Sequence, residues 1–325
     1  MSRKHIGVIR GGPSSEHDVS LKSGGTIMKN LNEDLYDIHD IFISPNGLWH
    51  IGGVVRTPND IISHIDMAFL ALHGYYGEDG KIQHILELHD IPFNGSGSFS
   101  SALAMNKSLS KEFFKREGIK TPQYKVINKE DNMEESDLVI LFRTFPLPFV
   151  VKPVNSGSSV GVTLVKDFQS FEKALEYALS FGDNVIIEEY IKGKEATVGV
   201  IDSYRGQDIY ALPAIEIRPP KDFFDFEAKY SDNGNGAEEI VPGNFTETEK
   251  MELENIAKRV HKSLGLRHYS RSDFIVSPTR GIFVLETNTL PGMTETSLFP
   301  KALLAVGATL PHFLYHIIEL AMGDK

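Results

Sequence analysis

An open α/β domain followed by two strand-rich α+β regions is the fold class the sequence predicts, and three observations predict it. Up to residue 105, short apolar runs alternate with helix-patterned segments, as parallel βαβ units require. Beyond that point strands come closer together and helices are shorter, until two longer helical patterns appear near the end. The length, 325 residues, accommodates two or three domains at roughly 150 residues each.

The elements justify themselves in order. Ile6-Gly7-Val8-Ile9 reads as a buried strand, closed by the turn Gly11-Gly12-Pro13-Ser14-Ser15 and followed by an amphipathic run over 16–31. Strands over 38–43 and 67–72 and a helix over 82–89 complete the first unit, and Gly95-Ser96-Gly97-Ser98 marks its edge. A helix over 106–117 stops at Gly118 and Thr121-Pro122. The second unit has strands over 124–127, 149–152, 163–165 and 185–189, with a helix over 170–180. The third has strands over 195–202, 209–218, 272–277 and 282–288, with helices over 247–264 and 301–322. The expected division is therefore 1–105, 106–192 and 193–325. The stretch 219–242, rich in Asp, Gly, Asn and aromatics, is too irregular for a regular element and has the length of a lid or binding loop. No internal repeat is visible.

Composition narrows the function. Thirty-three Lys and Arg against 44 Asp and Glu give a net charge of −11, which disfavours general nucleic-acid or anionic-membrane binding while leaving room for local basic clefts. The absence of cysteine excludes disulfides, thiolate metal sites and a cysteine nucleophile. The N-terminal apolar run is too short for a signal peptide and no stretch reaches membrane-spanning length, so a cytoplasmic, soluble chain is expected.

Several local patterns carry chemistry. Glu286 and Asn288 are two apart in a strand and share a face. If 272–277 and 282–288 form a hairpin, a four-residue loop over 278–281 sets Asp273 opposite Glu286, whereas an odd loop without a bulge sends them to opposite faces. Two carboxylates and an amide oxygen make an all-oxygen site of the kind that holds Mg²⁺ against nucleotide phosphates; the alternative is a solvated acidic strand end. Lys152 ends a strand and is followed by Asn155-Ser156-Gly157-Ser158-Ser159-Val160-Gly161, a loop with unobstructed N–H groups and hydroxyls for an anion, or a plain flexible hairpin loop. It is not a Walker A sequence, and the Gly11-Gly12 turn lacks the full dinucleotide fingerprint. Glu16 in a first helical turn is ordinarily explained by the helix dipole alone. Lys107 in a first turn is mildly disfavoured by that dipole and hints at a ligand anion.

Taken together and in order, these blocks resemble the D-alanine–D-alanine ligases of the ATP-grasp superfamily, nearly end to end. The resemblance rests on Gly11-Gly12-x-Ser14-x-Glu16 with Val19-Ser20, Leu72-His73-Gly74 with Gly77-Glu78-Asp79-Gly80, and Val151-Lys152-Pro153 with Gly157-Ser158-Ser159-Val160-Gly161. It continues through Glu227-Ala228-Lys229-Tyr230, Arg271-x-Asp273, Glu286-x-Asn288-Thr289-x-Pro291-Gly292-Met293-Thr294 and Ser297. Ser270 before Arg271, Tyr75-Tyr76 after His73-Gly74, and Glu189 where some relatives carry Lys are departures that bear on pocket shape rather than on the reaction.

The resemblance implies an N-terminal open α/β domain followed by a two-lobed ATP-grasp fold gripping ATP. It implies that one D-alanine carboxylate attacks the γ-phosphate to make an acyl phosphate, which a second D-alanine amine then displaces, in peptidoglycan precursor synthesis. It assigns Asp273, Glu286 and Asn288 to Mg²⁺ (Mn²⁺ as a substitute), with two ions. Lys107, Lys152, Ser159 and Lys229 fall to the ATP phosphates, Glu188 with the backbone near Glu189 and Ile191 to adenine, and Glu195 to the ribose. Glu16, Ser158 and Tyr230 form a hydrogen-bonded set at the first substrate, His73 lies beside it, and Arg271 with the Gly292 N–H faces the oxyanion. Ser297 and Leu298 receive the second substrate's carboxylate, and 223–241 acts as the lid. A homodimer is the implied assembly. The alternatives are a D-alanine–D-lactate or D-alanine–D-serine ligase, a catalytically silent ATP-binding relative, or, outside the family, a Rossmann oxidoreductase.

Overall fold

The computed structural model describes residues 3–131, 133–157, 160–219 and 237–323. Three sheets organise them. In the first, β1 (Lys4–Gly11) runs parallel to β2 (Tyr36–Ile43) on one side and β5 (Met67–Leu70) on the other. Ile6, Val8 and Ile9 are fully buried, as a central parallel strand covered on both faces demands. Gly11 ends β1 with φ +91°, and a Cβ there would lie 2.2 Å from the Ile43 carbonyl oxygen, so only glycine admits the sharp turn into α1 (His17–Asn30).

The sheet extends further than expected. Residues Trp49–Ile51 and Val54–Arg56 form an antiparallel hairpin, β3 and β4, on its edge. Gly52 and Gly53, both at positive φ, make the turn. The short helix α2 (Pro58–Ile62) and then α3 (Lys81–Leu88) complete this unit. The glycine-serine stretch read as an edge leads straight into a further helix, α4 (Ser98–Met105), and then α5 (Lys107–Arg116), capped by Asn106.

The second sheet is antiparallel, ordered β6 (Tyr124–Asn128), β9 (Asn184–Glu189), β7 (Phe149–Pro153), β8 (Thr163–Val165). Helices α6 (Glu135–Thr144), absent from the sequence reading, and α7 (Phe168–Leu179) close its back around Phe142, Phe149 and Phe171.

The third sheet contains β10 (Lys194–Tyr204), β11 (Gln207–Ala211), β12 (Ile215–Arg218), β13 (Glu238–Ile240), β14 (Tyr269–Ser277) and β15 (Gly281–Asn288), backed by α8 (Glu247–Ser263). A single strand over 209–218 was expected; Pro213 in Leu212-Pro213-Ala214 cannot donate to a ladder, and the chain breaks into β11 and β12 there. Strand β13 likewise lies inside the stretch read as wholly irregular. Within the core, His261 of α8 joins Asp202 of β10 (3.1 Å) and Ser270 of β14 (2.8 Å). In this Ser–His–Asp grouping His261 and Ser270 are buried and Asp202 is partly exposed, and the three act as a polar joint.

The expected helix over 301–322 is two helices, α9 (Leu298–Ala305) and α10 (Leu310–Gly323), bent by 104°. Gly307 at φ +70° terminates the first. Among the described residues no single helix is long and apolar enough to cross a membrane. Phe313, Leu314, Ile317 and Ile318 of α10 are buried in one core with Ile6, Val8 and Phe69, so the end of the chain packs into the first sheet.

Candidate active site

The β14–β15 hairpin builds one wall. Ser277 pairs with Gly281, so the loop has three residues, Pro278-Thr279-Arg280, not the expected four. A regular ladder from that loop would put Leu285 opposite Asp273. Instead the register shifts between Asp273 and Phe274, Leu285 becomes the extra residue of a bulge, and Asp273 pairs with Glu286. Bulge and odd loop compensate, and Asp273, Glu286, Arg271 and Asn288 share one face.

On that face the Asp273 carboxylate is fully engaged. Oδ1 accepts from Thr197 Oγ1 (2.6 Å) and Arg271 Nε (3.1 Å), while Oδ2 accepts from Arg271 (3.1 Å) and Asn288 Nδ2 (3.3 Å). Glu286 pairs with Lys107 Nζ at 3.1 Å. Among the described residues no three His, Asp or Glu cluster with metal-site spacing. Two carboxylates and an amide instead fit a hard cation that completes its shell from substrate phosphates.

A cleft of ≈ 900 Å³ opens beside this face, within the range of a nucleotide site. Lys107, Lys152, Glu188, Glu189, Ile191, Glu195, Asp273 and Glu286 all line it. Lys107 is the first residue of α5; its ammonium contacts the Ser156 carbonyl and so ties the helix to the Gly/Ser loop. Lys152 Nζ lies 2.8 Å from Glu188 Oε2, and Lys111 Nζ lies 2.9 Å from Glu188 Oε1. Burial alone would push the Glu188 carboxyl up; the two lysines more than offset it and hold it below its usual range. Burial likewise pulls Lys152 down, and Glu188 with Glu286 reverses this to leave it above an ordinary lysine.

At the end of the cleft that the resemblance gives to adenine, both acidic side chains have protein partners. Glu188 is spent on two lysines, and Glu189 forms a two-bond pair with Arg280 (2.9 and 3.1 Å). Ile191 is buried against Ile275 and Phe283 and supplies an apolar wall. Glu195 pairs across β10 with Ile217 and Ile275 at the cleft's far side.

The first unit contributes Glu16 at the start of α1. Its Oε2 approaches two glycines: a Cβ on Gly74 (φ +65°) would lie 2.5 Å away and one on Gly157 3.1 Å away. Glu16 thus sits where the β5 loop meets the Gly/Ser loop. Ser158, Ser159, Lys229 and Tyr230, with most of the expected lid, lie outside the described residues.

His73 is buried rather than open to a ligand. Its Nδ1 donates to the Leu290 carbonyl (2.9 Å) and its Nε2 accepts from Ser23 Oγ (2.9 Å), which itself accepts from the Met293 N–H (3.3 Å). Burial lowers its pKa, so it is a neutral clasp that locks the loop after β15. Glu78 clasps the same loop. Its Oε2 accepts from the Gly74 N–H (3.0 Å), and its Oε1 from the N–H groups of Thr289 (3.1 Å) and Leu290 (3.0 Å). Burial and the nearby Glu16 raise it to about 7.

That loop continues through Gly292 to Ser297, the N-cap of α9, and Leu298, its first residue. Ser297 Oγ lies 2.9 Å from where a Gly292 Cβ would stand and exchanges a hydrogen bond with Thr294 Oγ1 at 2.7 Å. The N–H groups of this helix start suit a carboxylate.

Residues without a role in the sequence reading complete the site: Lys111, Thr197, Ser23, and Glu216, which accepts from Arg218 (2.9 Å) and the Asn244 N–H (3.0 Å). Lys111 had a readable signal. It is four residues from Lys107 and three from buried Phe114, so helical spacing puts both lysines on the packed face of α5.

Family models described as the D-ala D-ala ligase C-terminus and N-terminus match residues 113–319 and residues 5–60 and 54–96. A D-alanine--D-alanine ligase from Trichlorobacter lovleyi is 41% identical over 301 residues, 93% of this chain and 89% of that protein. The D-alanine--D-alanine ligase of Bacillus anthracis complexed with ATP superposes with TM-score 0.80 at 33% identity, covering 98% of each chain. The VanG D-Ala:D-Ser ligase of Enterococcus faecalis gives TM-score 0.86 at 28% identity, covering 98% of this chain and 100% of that one.

Proposed function

Because this chain belongs to the D-alanine–D-alanine ligase family, we propose that it uses ATP to join two D-alanines, yielding D-alanyl-D-alanine, ADP and phosphate for peptidoglycan precursors. The observation that carries this reading is the convergence in one cleft of the cations Lys107 and Lys152 with the carboxylates Asp273 and Glu286, with Asn288 hydrogen-bonded to Asp273 beside it.

Phosphoryl transfer needs positioned charge more than covalent help. Lys107 and Lys152 neutralise the phosphates. A carboxylate oxygen of the first D-alanine attacks the γ-phosphorus, the bond to the bridging oxygen breaks, and ADP departs. The free amine of the second D-alanine then adds to the acyl carbon, and the departing phosphate carries off one of its protons. Arg271 and the Gly292 N–H hold the oxyanion, a contribution of about 3–4 kcal/mol per donor in comparable sites, and phosphate leaves. Glu16 receives the first ammonium, and Ser297 with the start of α9 the second carboxylate. Asp273, Glu286 and Asn288 would hold Mg²⁺, as two ions and with Mn²⁺ as a substitute, which when bound screens the phosphate oxygens from the attacking carboxylate.

The family likeness supports extending this set to residues outside the described ones: Ser158 and Tyr230 with Glu16, and Ser159 and Lys229 with the phosphates. The same likeness supports a homodimer, a cytoplasmic setting and the division at 105/106 and 192/193. Glu188 enters as the residue that holds Lys152, and His73 as the clasp of the oxyanion loop.

A second acceptor reading, D-serine, is favoured by the Enterococcus faecalis neighbour; the 41% identity to a D-alanine--D-alanine ligase against 28% to that enzyme supports D-alanine. ADP release measured with MgATP and D-alanine alone, then with D-serine or D-lactate added, tests both. Turnover with D-alanine alone is expected; turnover only with an added second acceptor overturns the assignment of substrate, and ATP binding without turnover overturns that of activity.

A further inference from the structure

A chain of polar contacts runs behind the nucleotide cleft and connects two sheets. It starts at Lys152 on β7, passes to Glu188 on β9 (2.8 Å) and from there to Lys111 on α5 (2.9 Å). Lys111 Nζ donates to Thr121 Oγ1 (2.7 Å), which donates to the Val284 carbonyl of β15 (3.0 Å), two residues before Glu286. Lys111 is fully buried and does not line the cleft, whereas Glu188 and Lys152 do.

Charge explains why a third group is needed. Lys152 and Glu188 by themselves sum to zero, so that pair alone brings no net charge to the cleft. Two lysines and one glutamate sum to +1. Each Glu188 oxygen is then occupied by a different lysine, so Lys152 is held by one oxygen and keeps its remaining donors for a ligand. We propose that Lys111 is a positioning residue for ATP: by taking half of Glu188, it leaves Lys152 aimed and positively charged toward the phosphates, and through Thr121 it registers that lysine against the strand bearing Glu286.

Burial pulls Lys111 down to about 8, and Glu188 is the largest influence that opposes this. Its ammonium is therefore maintained by the carboxylate it positions. Lys111 is separated from the cleft by that carboxylate, and its effect on a nucleotide has to pass through Glu188.

The inference rests on the ATP-dependent reading above, so MgATP binding by the unmodified protein is measured first; failure there refutes that reading and not the role of Lys111. Equilibrium titration with MgATP is then done on Lys111→Met, Glu188→Gln and the double variant, with thermal melts as the folding control. Lys111→Met is expected to weaken MgATP by about tenfold or more, raising the ATP KM while the D-alanine KM stays within about threefold. In the Glu188→Gln background the same Lys111→Met change is expected to shift affinity by less than about threefold, because the coupling is removed with the carboxylate. Removing one partner of a buried pair can unfold a chain. If Lys111→Met does not accumulate folded, Lys111→Gln, which keeps the hydrogen bonds without the charge, carries the same expectation. Unchanged MgATP affinity in the uncharged single variant overturns the proposal, and so does an equal loss with and without Glu188, which would make Lys111 an independent structural residue.

Discussion

Replacing Glu78 by Gln tests how the oxyanion loop is held. The carboxylate is buried, accepts three backbone N–H groups, and has its pKa raised to about 7 by burial and by Glu16. In the unfolded chain it titrates near 4.5. Between these values the folded state binds the extra proton, so stability is fully present below about 4.5 and declines as pH rises through about 7. The gap corresponds to about 3 kcal/mol. Gln removes that titration. Its single oxygen can still serve Thr289 and Leu290, but its amide then faces the Gly74 N–H, and one unsatisfied buried donor costs about 1–3 kcal/mol. The variant is therefore expected to be less stable than the parent at pH 5, and the difference to shrink or reverse by pH 8.5. Urea unfolding across that range, read as the difference between the two proteins, isolates this group from the remaining titrations. Parallel pH profiles would refute the buried, proton-holding carboxylate. Turnover should also fall by about tenfold, since a Gly74 that loses its acceptor shifts against Glu16.

Two further substitutions probe the site from its other sides. Glu286→Gln removes metal-directed charge and the Lys107 partner, so turnover is expected to drop by at least about 100-fold, while the chain still folds but melts at a lower temperature, because the buried Lys107 ammonium loses its carboxylate; ADP release at saturating Mg²⁺ and a melt check both halves. Gly74→Ala puts a Cβ within 2.5 Å of Glu16 Oε2 at a φ of +65°; it should destabilise the fold by about 1–3 kcal/mol and raise the D-alanine KM by about tenfold, and an unchanged KM would separate Glu16 from substrate binding.

Much of this site is written locally. The two-residue spacing of Glu286 and Asn288, the Lys at the end of a strand before a Gly/Ser loop, and the Gly11-Gly12 turn all survive intact because each depends on neighbours in sequence. Pairing across the hairpin was legible only in part: Asp273 does face Glu286, yet by an odd loop plus a bulge at Leu285, and a bulge leaves no mark in apolar alternation. Roles set by long-range contacts were not legible. His73 at a strand end is as compatible with a ligand as with the buried clasp to Leu290 that it makes, and Glu188 could not be seen to meet Lys111 from 77 positions away (188 − 111). Breaks at Pro213 and Gly307 were marked by their residue types and overridden by the apolar residues around them.

The core that unites Ile6, Val8 and Phe69 with Phe313, Ile317 and Ile318 also sets an order of events during synthesis. A ribosome releases β1 and its parallel partners well before α10, so the core around the first sheet stays incomplete until residues 310–323 have emerged. Domains that are contiguous in sequence ordinarily close one after another as they are made; here the first sheet is completed only when α10 arrives. Removing α10 should therefore be felt first far away in sequence, as protease sensitivity around residues 4–70.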